Sequence, residues 1–95
     1  MTINVKFVGA LRHIAGKSEM AIDCLEDFSV KVLIQKIIIE IPAIKTNIIN
    51  QQFDGAVKTN SLIIVNDREI SVLNGLDTLL ADGDEVVFIP VVHGG

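Results

Sequence analysis

The chain has 95 residues, 49% of them hydrophobic, and carries 12 acidic against 8 basic side chains for a formal charge of −4. That length accommodates one hydrophobic core and no second, the apolar share excludes a disordered chain, and the shortage of Lys and Arg argues against a nucleic-acid partner, which rewards a basic patch. One cysteine permits neither an internal disulfide nor a cysteine-based metal cluster. The longest apolar runs, Leu62 to Val65 and Val86 to Ile89, fall far short of a membrane span. Met1 to Lys6 alternates like a strand and lacks the apolar core of a signal peptide, so the expected compartment is the cytoplasm.

Ile3, Val5 and Phe7 alternate with Asn4 and Lys6, the pattern of a half-buried strand. Gly9 to Gly16 reads as a connection bounded by a glycine at each end. Ser18 to Cys24 alternates again, with Met20, Ile22 and Cys24 inward, and the two strands are expected to pair as an antiparallel hairpin. Cys24 is then a small core residue and not a reactive thiol. Ser29 is placed to cap a helix. Val30, Leu33, Ile34, Ile37, Ile38 and Ile41 recur at the spacing of one helical face, which outweighs the β-branched run Ile37-Ile38-Ile39. Pro42 either ends that helix or opens a second short one through Ile44, Ile48 and Ile49. Asn50 to Ser61 is polar, contains Gly55 and reads as a loop.

Leu62 to Val65 predicts a central strand, Asn66-Asp67-Arg68 a turn, and Glu69 to Val72 a polar edge strand. Asn74 to Leu80 reads as a short turn or a helical turn. Asp82-Gly83-Asp84 forms an acidic turn that feeds a buried strand, Val86 to Ile89, and Pro90 cannot donate to a ladder and so stops it. Two strands, a helix and then further strands give an α+β architecture. It is of the β-grasp kind: a mixed four- to five-stranded sheet with one main helix on one face, the first and last strands parallel neighbours, and a flexible tail over residues 91–95. The whole of residues 1–95 forms one domain, without internal repeats or low-complexity segments.

The tail is the feature that calls for a function. Val91-Val92-His93-Gly94-Gly95 ends in two residues without a Cβ, so it is thin enough to be threaded into a narrow site. If Val5, Phe7, Val86 and Phe88 face the helix, Val8, Val87 and Ile89 face away from it. Those three then form an apolar patch leading to the tail, and such a patch on an acidic chain suggests a docking face. Arg12, nearby, is available to pair with a partner's carboxylate. A carboxylate is a poor electrophile, and activating one by ATP needs a nucleotide site. The chain has neither a Gly-x-x-x-x-Gly-Lys nor a Gly-x-Gly-x-x-Gly motif, so activation would fall to another protein.

Two segments at opposite ends of the chain carry a family resemblance. Phe7-Val8-Gly9-Ala10-Leu11-Arg12-His13-Ile14-Ala15-Gly16 is similar to Phe-(Phe/Ala)-x-x-(Leu/Val)-Arg-x-x-x-Gly. Leu79 to Gly95 is similar to Leu-x-Asp-Gly-Asp-Glu-Val-x-Phe-x-Pro-Pro-Val-x-Gly-Gly, and Val65-Asn66 also fits. Both patterns belong to the MoaD branch of the MoaD/ThiS ubiquitin-like sulfur carriers. The chain departs from them in carrying Val91 at the usual second proline and His93 where a small or hydroxyl residue is usual. Val91 makes the tail less stiff. His93 places an imidazole beside the terminus, and is expected to be a solvated residue in preference to a catalytic aid or metal ligand.

The resemblance implies a carrier and not an enzyme, the small subunit of a molybdopterin synthase. Gly95, with Gly94 before it, would be adenylated by a ubiquitin-activator-like (MoeB-like) enzyme and converted by a sulfur donor to a thiocarboxylate. The arm would then enter a large (MoaE-like) subunit and give sulfur to the molybdopterin precursor, with Val8, Arg12, Val87, Ile89, Val91, Val92 and His93 meeting the partner. The chain itself would bind no cofactor and no metal; ATP is consumed by the partner. Three other readings stay open: a ubiquitin-like modifier joined through Gly95 to lysines, a thiazole-pathway (ThiS-like) carrier, and an interaction module with an incidental tail.

Overall fold

The structure, a computed structural model, describes residues 1–25, 28–51 and 57–91. Strand β1, Thr2–Phe7, buries Ile3, Val5 and Phe7 and exposes Asn4 and Lys6, as its alternation predicts. Helix α1, Ala10–Ala15, replaces the connection expected over Gly9 to Gly16. Its signal was present but short: Leu11, Ile14 and Ala15 share one face, Leu11 is buried, and the other two pack against the core. Gly16 closes this helix in the left-handed conformation, φ 75°, its N–H donating to the Arg12 carbonyl at 3.0 Å. Strand β2, Glu19–Asp23, pairs antiparallel with β1, Thr2 opposite Asp23 and Lys6 opposite Glu19.

The two-residue strand β3, Phe28–Ser29, leads into α2, Val30–Glu40. The Ser29 hydroxyl accepts the Val32 N–H at 3.2 Å, the capping bond its position predicts. Val30, Leu33, Ile34 and Ile37 are buried, Ile38 is half-buried, and Ile41 lies just past the helix. Pro42 opens a 3₁₀ turn, Pro42–Ile44, followed by the short helix α3, Lys45–Ile48, so the second of its two readings holds. Ile44 and Ile48 are fully buried, whereas Ile49 has already entered a strand. That strand, β4, Ile49–Gln51, pairs antiparallel with β5, Val57–Thr59. The loop expected across Asn50 to Ser61 is therefore a small hairpin in its described parts. Its pairing is made by backbone, which a polar sequence without alternation does not announce.

Strand β6, Ser61–Val65, turns through Asn66 and Asp67, at φ 48° and 70°, into β7, Arg68–Glu69. The edge strand expected over Glu69 to Val72 stops there, because Ile70–Val72 forms a 3₁₀ turn that buries Ile70. The Glu69 carboxylate accepts the Ser71 N–H and caps that turn. A further 3₁₀ turn, Gly75–Asp77, precedes β8, Leu79–Leu80, which pairs with β3. Strand β9, Glu85–Pro90, ends at the proline as predicted.

The main sheet has five strands in the order β2-β1-β9-β6-β7. β9 runs parallel to β1, with Val5 opposite Val86 and Phe7 opposite Phe88, and antiparallel to β6. Inward residues of β1, β6 and β9 join the buried face of α2 in a single core, in which the Phe7 and Phe88 rings stack with centroids 6.0 Å apart. This is the expected β-grasp arrangement, with the short helices α1 and α3 beside the main one among the described residues.

Candidate functional site

The side of the sheet away from the core is mostly polar on β1 and β2 and becomes apolar across β9 and β6. On β1 the Lys6 ammonium lies 3.0 Å from the Glu85 carboxylate. Its hydrogen bond to Glu85, and then their opposite charges, raise the pKa of Lys6 above the ordinary lysine value. Glu19 and Ala21 of β2 are exposed alongside. Val87, opposite Lys6, and Ile89 of β9 are half-buried and Val8 is exposed, so the faces follow the expected inward and outward assignment. Two members were missed. Leu62 sits opposite Ile89 and Ile64 opposite Val87, so both extend the patch across β6. The run Leu62 to Val65 reads as a strand buried on both faces, whereas only Ile63 and Val65 within it are buried. Knowing the register with β9 would have found the other two.

The start of β9 is fastened by the acidic turn. The Thr2 N–H donates to Asp82 Oδ1 at 2.7 Å, and the Gly83 N–H, at φ 83°, donates to the Thr2 carbonyl at 2.8 Å. Asp84 accepts from Asn66 Nδ2 and from the Ala81 N–H, each at 2.8 Å, while the Glu85 N–H donates to Asn66 Oδ1 at 2.9 Å. The Asp82 to Glu85 motif and Asn66 thus tie two turns to each other and to the start of β1 at one end of the sheet. They are scaffold, set at the opposite end of β9 from the tail.

At the far end, the Val8 N–H donates to the Phe88 carbonyl at 3.1 Å and the Val91 N–H to the Asn60 carbonyl at 3.3 Å. Val91 is exposed. Gly9 has φ 61° and ψ −135°, and a Cβ built there would meet the Pro90 ring at 3.4 Å. Arg12 is exposed on α1, its N–H donating to the Gly9 carbonyl at 3.0 Å. The structure therefore brings Val8, Val87 and Ile89 to one face of the sheet, leaves Val91 just past the end of β9, and sets Arg12 on the short helix that follows Val8. Val92, His93, Gly94 and Gly95 lie outside the described residues, as does most of the expected flexible tail. Cys24 is buried, its Sγ directed at the Ile22 carbonyl 3.6 Å away; burial raises its thiol pKa, against the nearby N-terminal and Lys36 charges. It belongs to the core.

A profile of the ThiS family matches residues 5–95. The chain belongs to the ThiS family. Small archaeal modifier protein 3 of Haloferax volcanii is 28% identical to it over 95 residues, spanning both chains in full. Ubiquitin-related modifier 1 of Schizosaccharomyces pombe is 31% identical over 100 residues, again spanning both. Among solved structures, a Pyrococcus furiosus chain assigned as a molybdopterin converting factor, subunit 1, superimposes with a TM-score of 0.78 at 28% identity, covering 97% of this chain and 99% of that one. This ThiS-family member is accordingly a ubiquitin-like β-grasp protein, of a kind to which sulfur carriers and protein modifiers both belong. No helix among its described residues is long and apolar enough to cross a membrane.

Proposed function

We propose that this chain is a carrier, itself without catalysis, whose Gly95 carboxylate is activated by a ubiquitin-activator-type adenylating enzyme in the cytoplasm and then loaded with sulfur. The observation that carries the reading is the placement of β9, whose last residues emerge from the sheet beside the apolar patch of Val8, Leu62, Ile64, Val87 and Ile89. A partner seated on that patch receives the tail in the same event, so docking energy is spent on orienting the reacting end.

The chemistry balances as follows. A carboxylate oxygen of Gly95 attacks the α-phosphorus of ATP and pyrophosphate leaves, giving an acyl adenylate. A sulfur nucleophile then attacks the carbonyl and AMP departs. From hydrosulfide the product is the thiocarboxylate directly; from a persulfide it is an acyl disulfide, which a thiol must cleave. Glycine at positions 94 and 95 presents no Cβ to the walls of a narrow site. We further assign the loaded arm to a large-subunit partner that builds the dithiolene of molybdopterin, a reading supported by the likeness to the Pyrococcus furiosus chain. A second reading, in which the same adenylate is passed to lysines of other proteins, is favoured by the names of the two full-length relatives.

The test is to incubate the chain with ATP, such an activating enzyme and sulfide, and to read its intact mass. The expected change is replacement of one carboxylate oxygen by sulfur, absent from the variant lacking Gly95; a chain that never forms an adenylate overturns the proposal. Adding molybdopterin precursor with a large subunit, or lysine-bearing acceptor proteins, then separates the two readings.

A further inference from the structure

The last strand is released from its two neighbours unequally. Along β1 the ladder runs from the Asn4 N–H to the Asp84 carbonyl and on to the Val8 N–H and Phe88 carbonyl. By that parallel pattern the next bond would come from the amide of residue 90 to the Val8 carbonyl. Residue 90 is proline and has no N–H, so β9 parts from β1 there for a chemical reason. Gly9 then lets the departing chain pass. Its backbone, φ 61° and ψ −135°, is one that L side chains rarely adopt, and a Cβ would press on the Pro90 ring at 3.4 Å.

On the other side β9 is held one residue longer. The Val91 N–H reaches the Asn60 carbonyl. Asn60 is itself fixed, its N–H donating to the Ile48 carbonyl at 2.8 Å and its Nδ2 to the Thr46 carbonyl at 3.0 Å. The neighbouring Ser61 hydroxyl donates to the Asn47 carbonyl at 3.0 Å. The end of α3 therefore braces the acceptor that holds Val91.

We propose that Gly9 and Asn60 are positioning residues forming a collar, which fixes the point and direction from which the reactive arm leaves the domain. This rests on the carrier reading above. With the collar intact, a partner that docks on the sheet face meets an arm whose root is already placed. Without it, that ordering has to be supplied on binding.

The experiment compares Gly9→Ala, Asn60→Ala and, as a control, Gly16→Ala, each in the full chain. Gly16 also has positive φ, 75°, but a Cβ there meets nothing within 4 Å, so it reports backbone strain without touching the arm. Adenylation is followed as pyrophosphate release by an activating enzyme, and amide hydrogen exchange at Val91 by NMR. For Gly9→Ala we expect the KM for the carrier to rise about tenfold, the cost of ordering roughly one residue's backbone on binding. The kcat should stay within about twofold, since the bound arm reaches the same geometry. Val91 exchange should quicken by a similar factor of about ten. Gly16→Ala should lose stability yet leave KM and Val91 exchange unchanged. Should Gly9→Ala fail to fold, Asn60→Ala carries the test, with a rise of about threefold in both readings, the worth of one exposed hydrogen bond.

Unaltered KM and Val91 exchange in the folded variants, or an equal KM rise in Gly16→Ala, overturns the collar. If wild type is not adenylated at all, the carrier reading fails instead, and the exchange comparison still decides whether the collar holds the root.

Discussion

Phe88 and Ile89 are adjacent in β9 and face opposite ways: Phe88 is fully buried beneath α2, while Ile89 is half-buried on the outer face opposite Leu62. The same substitution at each therefore asks different questions. Phe88→Asp places a carboxylate in the core, costing several kcal/mol against a total stability of roughly 5–15 kcal/mol, and should abolish cooperative unfolding followed by circular dichroism. Ile89→Asp should keep the native spectrum and lose binding to the activating enzyme, because the charge is stripped of water only when a partner covers it. Two equally unfolded variants would refute the assignment of faces. The faces of β1 are legible in the sequence because Ile3, Val5 and Phe7 alternate with Asn4 and Lys6. Those of β9, itself an unbroken apolar run, follow only from pairing it in parallel with β1, and Leu62 and Ile64 lie in a run with no such guide. Cys24 gives a second prediction. Burial raises its thiol pKa, so the native state keeps a proton that the unfolded chain loses. The unfolded state then binds fewer protons, and stability falls as pH rises above about 8.5, the ordinary thiol value. The raised pKa of Lys6 acts in the same direction but only above about 10.4. Urea midpoints at pH 7 and pH 9.5 should show a decline in wild type that is reduced in Cys24→Ala.

At the scale of elements, the bonds among Asn66, Asp84 and Ala81 show why an acidic turn should precede the last strand: it couples the β6–β7 turn to the start of β9. Asn66→Ala and Asp84→Ala should each cost about 1–2 kcal/mol, the worth of one or two hydrogen bonds to a charged or buried partner. The double variant should cost less than their sum by about 0.5 kcal/mol or more, since the two share one network; strict additivity in urea titrations would show that they act separately. β1, β2 and α2 were readable from a periodic apolar face, and β6 and β9 from short unbroken apolar runs bounded by turn residues. The helix α1 was not, its six residues giving only Leu11 as a buried anchor. The pairs β3–β8 and β4–β5 escaped for another reason. Strands of two or three residues are held by partners distant in the chain, and local side-chain pattern carries no record of them.

For the molecule as a whole, the last described bond that ties the chain's end to the domain is made by Val91. Removing residues 92–95 should accordingly leave the melting temperature unchanged while abolishing adenylation. Removing residues 90–95 forfeits the Val91 bond and the Pro90 packing on Gly9, worth about 1 kcal/mol, and should lower the melting temperature by roughly 4–8 °C. Equal melting temperatures would mean that the end of β9 bears no weight. The sequence order of the strands also matters for how the protein is made. β9 is the last strand among the described residues yet lies in the middle of the sheet, joining β1–β2 to β6–β7. A polypeptide stalled on the ribosome before residue 85 holds two disconnected halves and an unfinished core, and domains fold as units. Chains cut short before β9 should therefore stay unfolded and fall to proteases, without the outer face that Val87 and Ile89 build with β6. Topology thus makes one strand both the closure of the core and a wall of the outer apolar face, so a chain unable to present that face should also be unable to fold.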